Sequence, residues 1–108
     1  RFYVQRHLHF EAFLAVLRRA KFMLGNSSAG VREAPAFGVP SINVGSRQNG
    51  RYSCPGIIDA PEARQAILDA LNNPPQAKPD HHFGDGQASA KFIEALNATA
   101  FWEVPVQK

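Results

Sequence analysis

The run Gly25-Asn26-Ser27-Ser28-Ala29-Gly30-Val31-Arg32-Glu33-Ala34-Pro35 gathers two hydroxyls, several small residues and one carboxylate just past the apolar triplet Phe22-Met23-Leu24. An apolar strand that turns through small residues into a helix is a place to hold a phosphorylated, nucleotide-like ligand. Glycine lets the backbone approach a ligand without a Cβ in the way. Ser27 and Ser28 supply hydroxyl donors, and unpaired N–H groups at the start of the following helix favour an anion. The same residues also make an ordinary N-cap and tight corner, so the turn alone leaves both readings open. Neither GxGxxG nor GxxxxGK[ST] occurs, which removes the dinucleotide fingerprint and the Walker loop.

A second polar group is Ser46-Arg47-Gln48-Asn49-Gly50-Arg51-Tyr52, after the segment Ser41-Ile42-Asn43-Val44, which reads as a buried strand ending at Gly45. Two arginines at the end of a strand can meet two negative charges, or they can be solvated surface residues. His81 and His82 are adjacent but lack a spaced partner set, so a structural or solvent-facing role is expected rather than a metal site. Cys54 is the single cysteine. It cannot form an internal disulfide, no histidine is near it in sequence, and it reads as a packed thiol rather than a nucleophile. A reducing cytoplasm is the simplest home for such a chain.

These groups need elements to position them. Residues 2–4 read as a short strand. Phe10, Phe13, Leu14 and Leu17 follow helical spacing, which predicts a helix over about 10–20 with basic residues at its end. A strand over 22–24 and a helix over 28–37 flank the serine turn, with Gly38 at C′ and Pro40 preventing continuation. Strands over 41–44 and 56–58 follow. Asp59 reads as the N-cap of a helix over 61–72 that buries Ile67, Leu68 and Leu71. Residues 74–84 form an irregular crossing, after which Asp85-Gly86 caps a last helix turning Phe92, Ile93 and Leu96 to the core. Phe101 and Trp102 are expected to pack in the tail that ends Glu103-Val104-Pro105-Val106. The alternation predicts an α/β fold with an open, mostly parallel sheet whose strand ends carry the ligand.

At 108 residues the chain is one small domain or a piece of a larger one. Its start at Arg-Phe-Tyr, without an initiator Met, suggests a piece. Twelve Lys and Arg against nine Asp and Glu give +3, which suits a small anionic ligand. No Arg/Lys cluster, stacked aromatic series or zinc-finger spacing supports nucleic acid. No signal peptide and no run of about 18 apolar residues supports a membrane span.

The ordered motifs Gly25-Asn26-Ser27-Ser28-x-Gly30-Val31-Arg32-Glu33, Phe37-Gly38-x-Pro40-x-Ile42-Asn43-x-Gly45-x-Arg47-Gln48-x-Gly50-Arg51 and Phe83-Gly84-Asp85-Gly86 closely resemble the C-terminal part of bacterial UDP-N-acetylglucosamine 2-epimerases. The likeness is strongest to the hydrolysing branch of sialic acid synthesis and covers about residues 7–107. It implies two Rossmann-like domains in the glycosyltransferase-B arrangement, of which residues 1–108 supply the latter part of the C-terminal, UDP-binding domain. The N-terminal domain, expected to carry the acid/base carboxylates, and the preceding strands are then absent. By the same resemblance Ser27 and Ser28 contact the diphosphate, Glu33 the ribose hydroxyls, and Arg47 the uridine side or the phosphates.

Asn26, Gly30, Gln48 and Arg51 form a second rank, with Gly30, Gly45 and Gly50 shaping backbone more than touching sugar. Arg32 is expected at the surface. Glu33 has a plainer role open to it, as the acidic first turn of a helix. The expected partner is UDP or UDP-N-acetylglucosamine, with no cofactor, no metal and no catalytic residue in this stretch. The implied reaction eliminates UDP and adds water to release N-acetylmannosamine. A non-hydrolysing epimerase and a glycosyltransferase donor-binding module are the alternatives. An exposed sheet edge points to a homo-oligomer.

Overall fold

A computed structural model describes residues 1–103, the side chain of Phe101 excepted. The chain runs α1 (Phe10–Arg18), β1 (Met23–Gly25), α2 (Ala29–Ala36), β2 (Ser41–Val44), β3 (Ile57–Ala60), α3 (Arg64–Asn72), α4 (Ala88–Asn97) and α5 (Thr99–Trp102). The strands form a parallel sheet in the order β1-β2-β3, with Met23 beside Ser41 and Ser41 beside Ile57. This is the expected α/β arrangement, and parallel strands bring all three carboxyl ends to one edge.

Alternation along β2 divides the two faces. Ser41 and Asn43 look toward α2, whose Gly30 lies so close that an added Cβ would come within 2.5 Å of Ser41 Oγ. Leu17, Ala34 and Val39 are buried together, with Phe13, Ala20 and Met23 against them, and so join α1 to α2 and the sheet. Ile42, Ala60 and Ala70 fill the opposite face under α3, supported by Val44 and Leu71. Small residues at these contacts let the helices approach closely. Gly38 closes α2 as expected: at φ +67° it donates its N–H to Pro35 O at 3.0 Å, and Val39 donates to Ala34 O at 3.0 Å. That pair of bonds is the Schellman pattern.

Several boundaries differ from expectation. Residues 2–4 form no strand, and Phe2 is 96% exposed, because no neighbouring strand takes up their backbone groups. Asp59 does not cap α3. It lies inside β3, which pairs in register through Asn43↔Asp59 and Val44↔Ala60. Pro61 then turns the chain, and α3 starts at Arg64 with Ala63 at its N-cap position. In α3 Ala70 is buried, Ile67 and Leu71 are half-buried, and Leu68 is exposed.

The last helix departs most. α4 packs on α5 rather than on the sheet, so Phe92 (64% exposed) and Ile93 (58%) do not join the core and Leu96 is half-buried. Residues 73–87 carry it away from the body, giving an elongated molecule of 55 × 28 × 27 Å. Asp85 Oδ1 accepts the Gln87 N–H at 3.0 Å, one residue ahead of the helix. Trp102 stays largely exposed while its Nε1 donates to Leu96 O at 2.7 Å, folding α5 back on α4. The packing expected of Phe101 and of 104–106 lies outside the described residues. No helix among the described residues is long and apolar enough to cross a membrane.

Candidate functional site

The serine turn spans the gap between the carboxyl end of β1 and the start of α2. Asn26 and Ser27 are exposed, and Ser28 is half-buried at the N-cap position. Ser27 Oγ accepts the Ala29 N–H at 3.2 Å. Gly30 donates to Ser27 O at 3.1 Å and Val31 to Ser28 O at 3.0 Å. These first amides of the helix are therefore engaged within the turn, not unpaired as the sequence suggested: the Ser27 hydroxyl takes the Ala29 N–H, and the Ser27 and Ser28 carbonyls take those of Gly30 and Val31. What the turn still offers an anion is its hydroxyls and the helix dipole. A hydroxyl that accepts one bond still has its own O–H to donate.

Glu33 stands on the second turn of α2 and is half-buried. The plainer role open to it, an acidic first turn, is thereby removed, since the dipole effect fades beyond that turn. It makes no ion pair with Arg32, which is exposed. Among the described residues the one ion pair is between Lys91 and Asp85, at 3.7 Å. Among the described residues the Glu33 carboxylate and the Arg47 and Arg51 guanidinium groups thus carry no competing ion-pair partner.

The second half of the site leaves β2 at Gly45, which adopts φ +82°. Its N–H donates to Ala60 O at 2.9 Å, and a Cβ there would lie 2.7 Å from Glu62 Oε1. The positive φ calls for glycine, whereas the exposed Glu62 carboxylate can swing aside. The loop continues through turns in which Asn49 donates to Ser46 O and Arg51 to Gln48 O. Gln48 is only 7% exposed, and its Nε2 donates to Asn26 O at 2.9 Å. Its carboxamide braces the loop against the serine turn rather than facing solvent, while Arg47 and Arg51 on either side are exposed.

The fold brings Asn26, Ser27, Ser28 and Gln48 together at the carboxyl edge. Glu33 on α2 and Arg47 in the loop flank them without touching one another. Gly30 is a packing residue, pressed on Ser41. Beside the loop, Gly45, Ser46, Asp59, Ala60, Pro61 and Glu62 enclose an open cleft of about 500 Å³.

Sequence reasoning missed two side-chain pairs. Asn43, 3% exposed, donates from Nδ2 to Asp59 Oδ1 at 2.9 Å near the carboxyl ends of β2 and β3. Its Oδ1 and Gln48 Oε1 are buried and accept no bond among the described residues. An Asn between the apolar Ile42 and Val44 of a buried strand was the available signal. The second pair is Tyr52 and Asp80, with Tyr52 OH donating to Asp80 Oδ2 at 2.6 Å. That bond, then burial, pushes the Tyr52 hydroxyl up to about 12, and the Asp80 carboxyl is held below the usual carboxylate range by the same bond and by the His82 N–H. His82 is structural, stacked on Tyr52 at 3.8 Å between centroids.

A larger cleft, about 820 Å³, lies at the opposite, amino edge, between Pro40, Cys54, Gly56 and the 75–81 stretch. Four prolines line it. Donors suited to a phosphorylated ligand converge instead at the carboxyl edge, where open parallel sheets bind ligands.

Residues 1–97 match the family model described as UDP-N-acetylglucosamine 2-epimerase. A UDP-N-acetylglucosamine 2-epimerase of Neisseria meningitidis serogroup B is 42% identical over 107 residues, 94% of this chain and 28% of the relative. A UDP-N,N'-diacetylbacillosamine 2-epimerase (hydrolyzing) of Legionella pneumophila is 39% identical, covering 84% of this chain and 25% of the relative. The polysialic acid biosynthesis protein P7 of Escherichia coli is 39% identical over 57% of this chain and 16% of its own length. The chain spans about a quarter of the first two relatives.

Proposed function

We propose, from the premise that this chain belongs to the UDP-N-acetylglucosamine 2-epimerase family, that residues 1–108 form the UDP-gripping part of a hydrolysing epimerase of the glycosyltransferase-B type. The observation that carries this reading is the 2.9 Å bond from Gln48 Nε2 to Asn26 O, which locks the serine turn to the arginine loop at one sheet edge. Hydroxyls of Ser27 and Ser28 donate to the diphosphate, and Arg47 adds a positive charge. Glu33 accepts from the two ribose hydroxyls, as a two-oxygen carboxylate suits a diol.

In the parent reaction UDP departs by elimination, an unsaturated sugar forms, and water adds to release N-acetylmannosamine. Charge builds on the leaving phosphate oxygen, so preorganised hydroxyls, a helix N-terminus and an arginine lower the barrier electrostatically. The groups that move protons on the sugar belong to the part of the protein outside this chain, and the chain alone is inactive. The likeness to the hydrolysing Legionella epimerase favours the hydrolysing outcome over the non-hydrolysing one. It also admits a diacetylated bacillosamine sugar in place of N-acetylglucosamine, a difference on the sugar rather than on the UDP side.

Calorimetry tests the grip. We expect saturable UDP binding, weaker UMP binding, and about tenfold weaker UDP binding in Glu33→Ala, the size of a lost charge-assisted pair of bonds. Folded protein that shows no UDP binding overturns the assignment.

A further inference from the structure

The Tyr52–Asp80 pair and Phe83 take no part in the site as described, yet they hold the far end of the loop that carries Arg47. The arginine loop leaves the carboxyl end of β2 and must return to the amino end of β3 across residues 45–56 without a helix. Such a crossing has few backbone bonds of its own. Gln48 secures its front. Its rear is secured at Tyr52, where OH donates to Asp80 Oδ2 at 2.6 Å, His82 stacks on the ring, and Phe83 meets it edge-on at 5.4 Å.

The anchor is itself fixed. Asp80 Oδ1 accepts the His82 N–H at 2.9 Å, and the Asp80 N–H donates to Pro35 O in α2 at 2.8 Å. One residue earlier, Pro79 lies so close to Gly38 that a Cβ there would meet it at 2.9 Å. The 79–83 stretch therefore holds the end of α2 and the rear of the loop in one frame. The opposite end of α2 carries the serine turn.

We infer that Tyr52 and Asp80 are positioning residues for the ligand loop, fixing Arg47 relative to the serine turn through the 45–52 backbone. The loop-holding role stands on geometry alone; its consequence for ligand binding rests on the UDP reading above. Hydroxyl-to-carboxylate bonds are among the stronger ones, so removing the hydroxyl frees the rear of the loop. Asp80→Asn keeps the clasp, because an amide can accept from His82 N–H with its oxygen and donate to the Tyr52 oxygen with its nitrogen.

Limited trypsin digestion under folded conditions, with UDP calorimetry on the same samples, tests this. Tyr52→Phe retains the ring and loses only the hydroxyl. Cleavage after Arg47, whose neighbours are unchanged, is expected to speed up about fivefold, with cleavage after Arg18 unaltered and UDP binding weakened by a similar factor. Asp80→Asn is expected to stay within about twofold of the parent in both readouts, and Asp80→Leu to follow Tyr52→Phe. Unchanged cleavage after Arg47 in Tyr52→Phe, or equal acceleration after Arg18, overturns the positioning role. Faster cleavage with unchanged UDP affinity overturns its link to binding. Absence of UDP binding in the parent overturns the UDP reading, while the digestion pattern still decides the clasp.

Discussion

Residue types identified which groups can do chemistry here, but not how each is employed. Ser27, Ser28 and Arg47 stand at the carboxyl ends of strands and Glu33 on the second turn of α2, places that their residue types and spacing allowed to be anticipated; that they meet a ligand is the proposal. Gln48 was read as a second-rank candidate for ligand contact, and its Nε2 is engaged in bracing the Asn26 carbonyl; a brace and a contact look alike in sequence. Tyr52 and Asp80 are 28 positions apart, so nothing local announces them. The clasp gives a titration to follow. Tyr52 is raised from 10.0 to about 12, so its stabilising contribution is complete below the ordinary tyrosine value and is lost as pH rises through about 12. Asp80 is lowered from 3.8, so its contribution is complete above that value and is lost as pH falls through the lower folded one. The chain holds two tyrosines. In Tyr3→Phe, ultraviolet titration of the remaining phenol is expected to show a midpoint near 12, falling in Tyr3→Phe/Asp80→Leu; an unmoved midpoint denies the bond.

Elements bounded by local punctuation were legible, and those bounded by tertiary pairing were not. The serine turn, α2 and its Gly38 stop are written in small residues and proline, and they stand within a residue of expectation. The end of β3 is set by the partner strand, since pairing with Asn43 and Val44 draws Asp59 and Ala60 into the sheet. Contact between elements also decides what glycine does at position 30. Alanine in a helix gains roughly 1 kcal/mol over glycine from propensity alone. Here the new Cβ meets Ser41 Oγ at 2.5 Å inside a buried contact, while Ser41 Cβ at 3.7 Å is an ordinary neighbour. Gly30→Ala is therefore expected to destabilise the chain by about 1 kcal/mol and, in a Ser41→Ala background, to become neutral or stabilising. Denaturant melts of the four proteins of this cycle check the change of sign, and additive effects reject the contact as its cause.

At the scale of the molecule, a three-stranded sheet with a helix on each face leaves two matters to partners. The apolar stripe of α4 predicted a core helix, yet α4 lies on α5 and away from the sheet, because amphipathic spacing states that a face wants cover without stating which surface gives it. Deleting residues from Ala88 onward is then expected to leave the unfolding midpoint of the sheet unit within about 3 °C of the parent, a shift worth under 1 kcal/mol in a chain of this size. Loss of cooperative unfolding would show that α4 supports the sheet. The other matter is the edge. β1 pairs with β2 alone among the described residues, and Leu24 on it is 43% exposed beside Phe22 at 40%. An unpaired, partly apolar edge is a template for another copy. Light scattering is expected to show the mass rising from 11.9 kDa toward twice that value with concentration. Leu24→Lys, which puts a charge on that edge, is expected to hold the chain at the monomer mass. A parent that stays monomeric at high concentration rejects edge pairing, and a dimer indifferent to Leu24→Lys moves the contact elsewhere, with the exposed face of α4 the next surface to substitute.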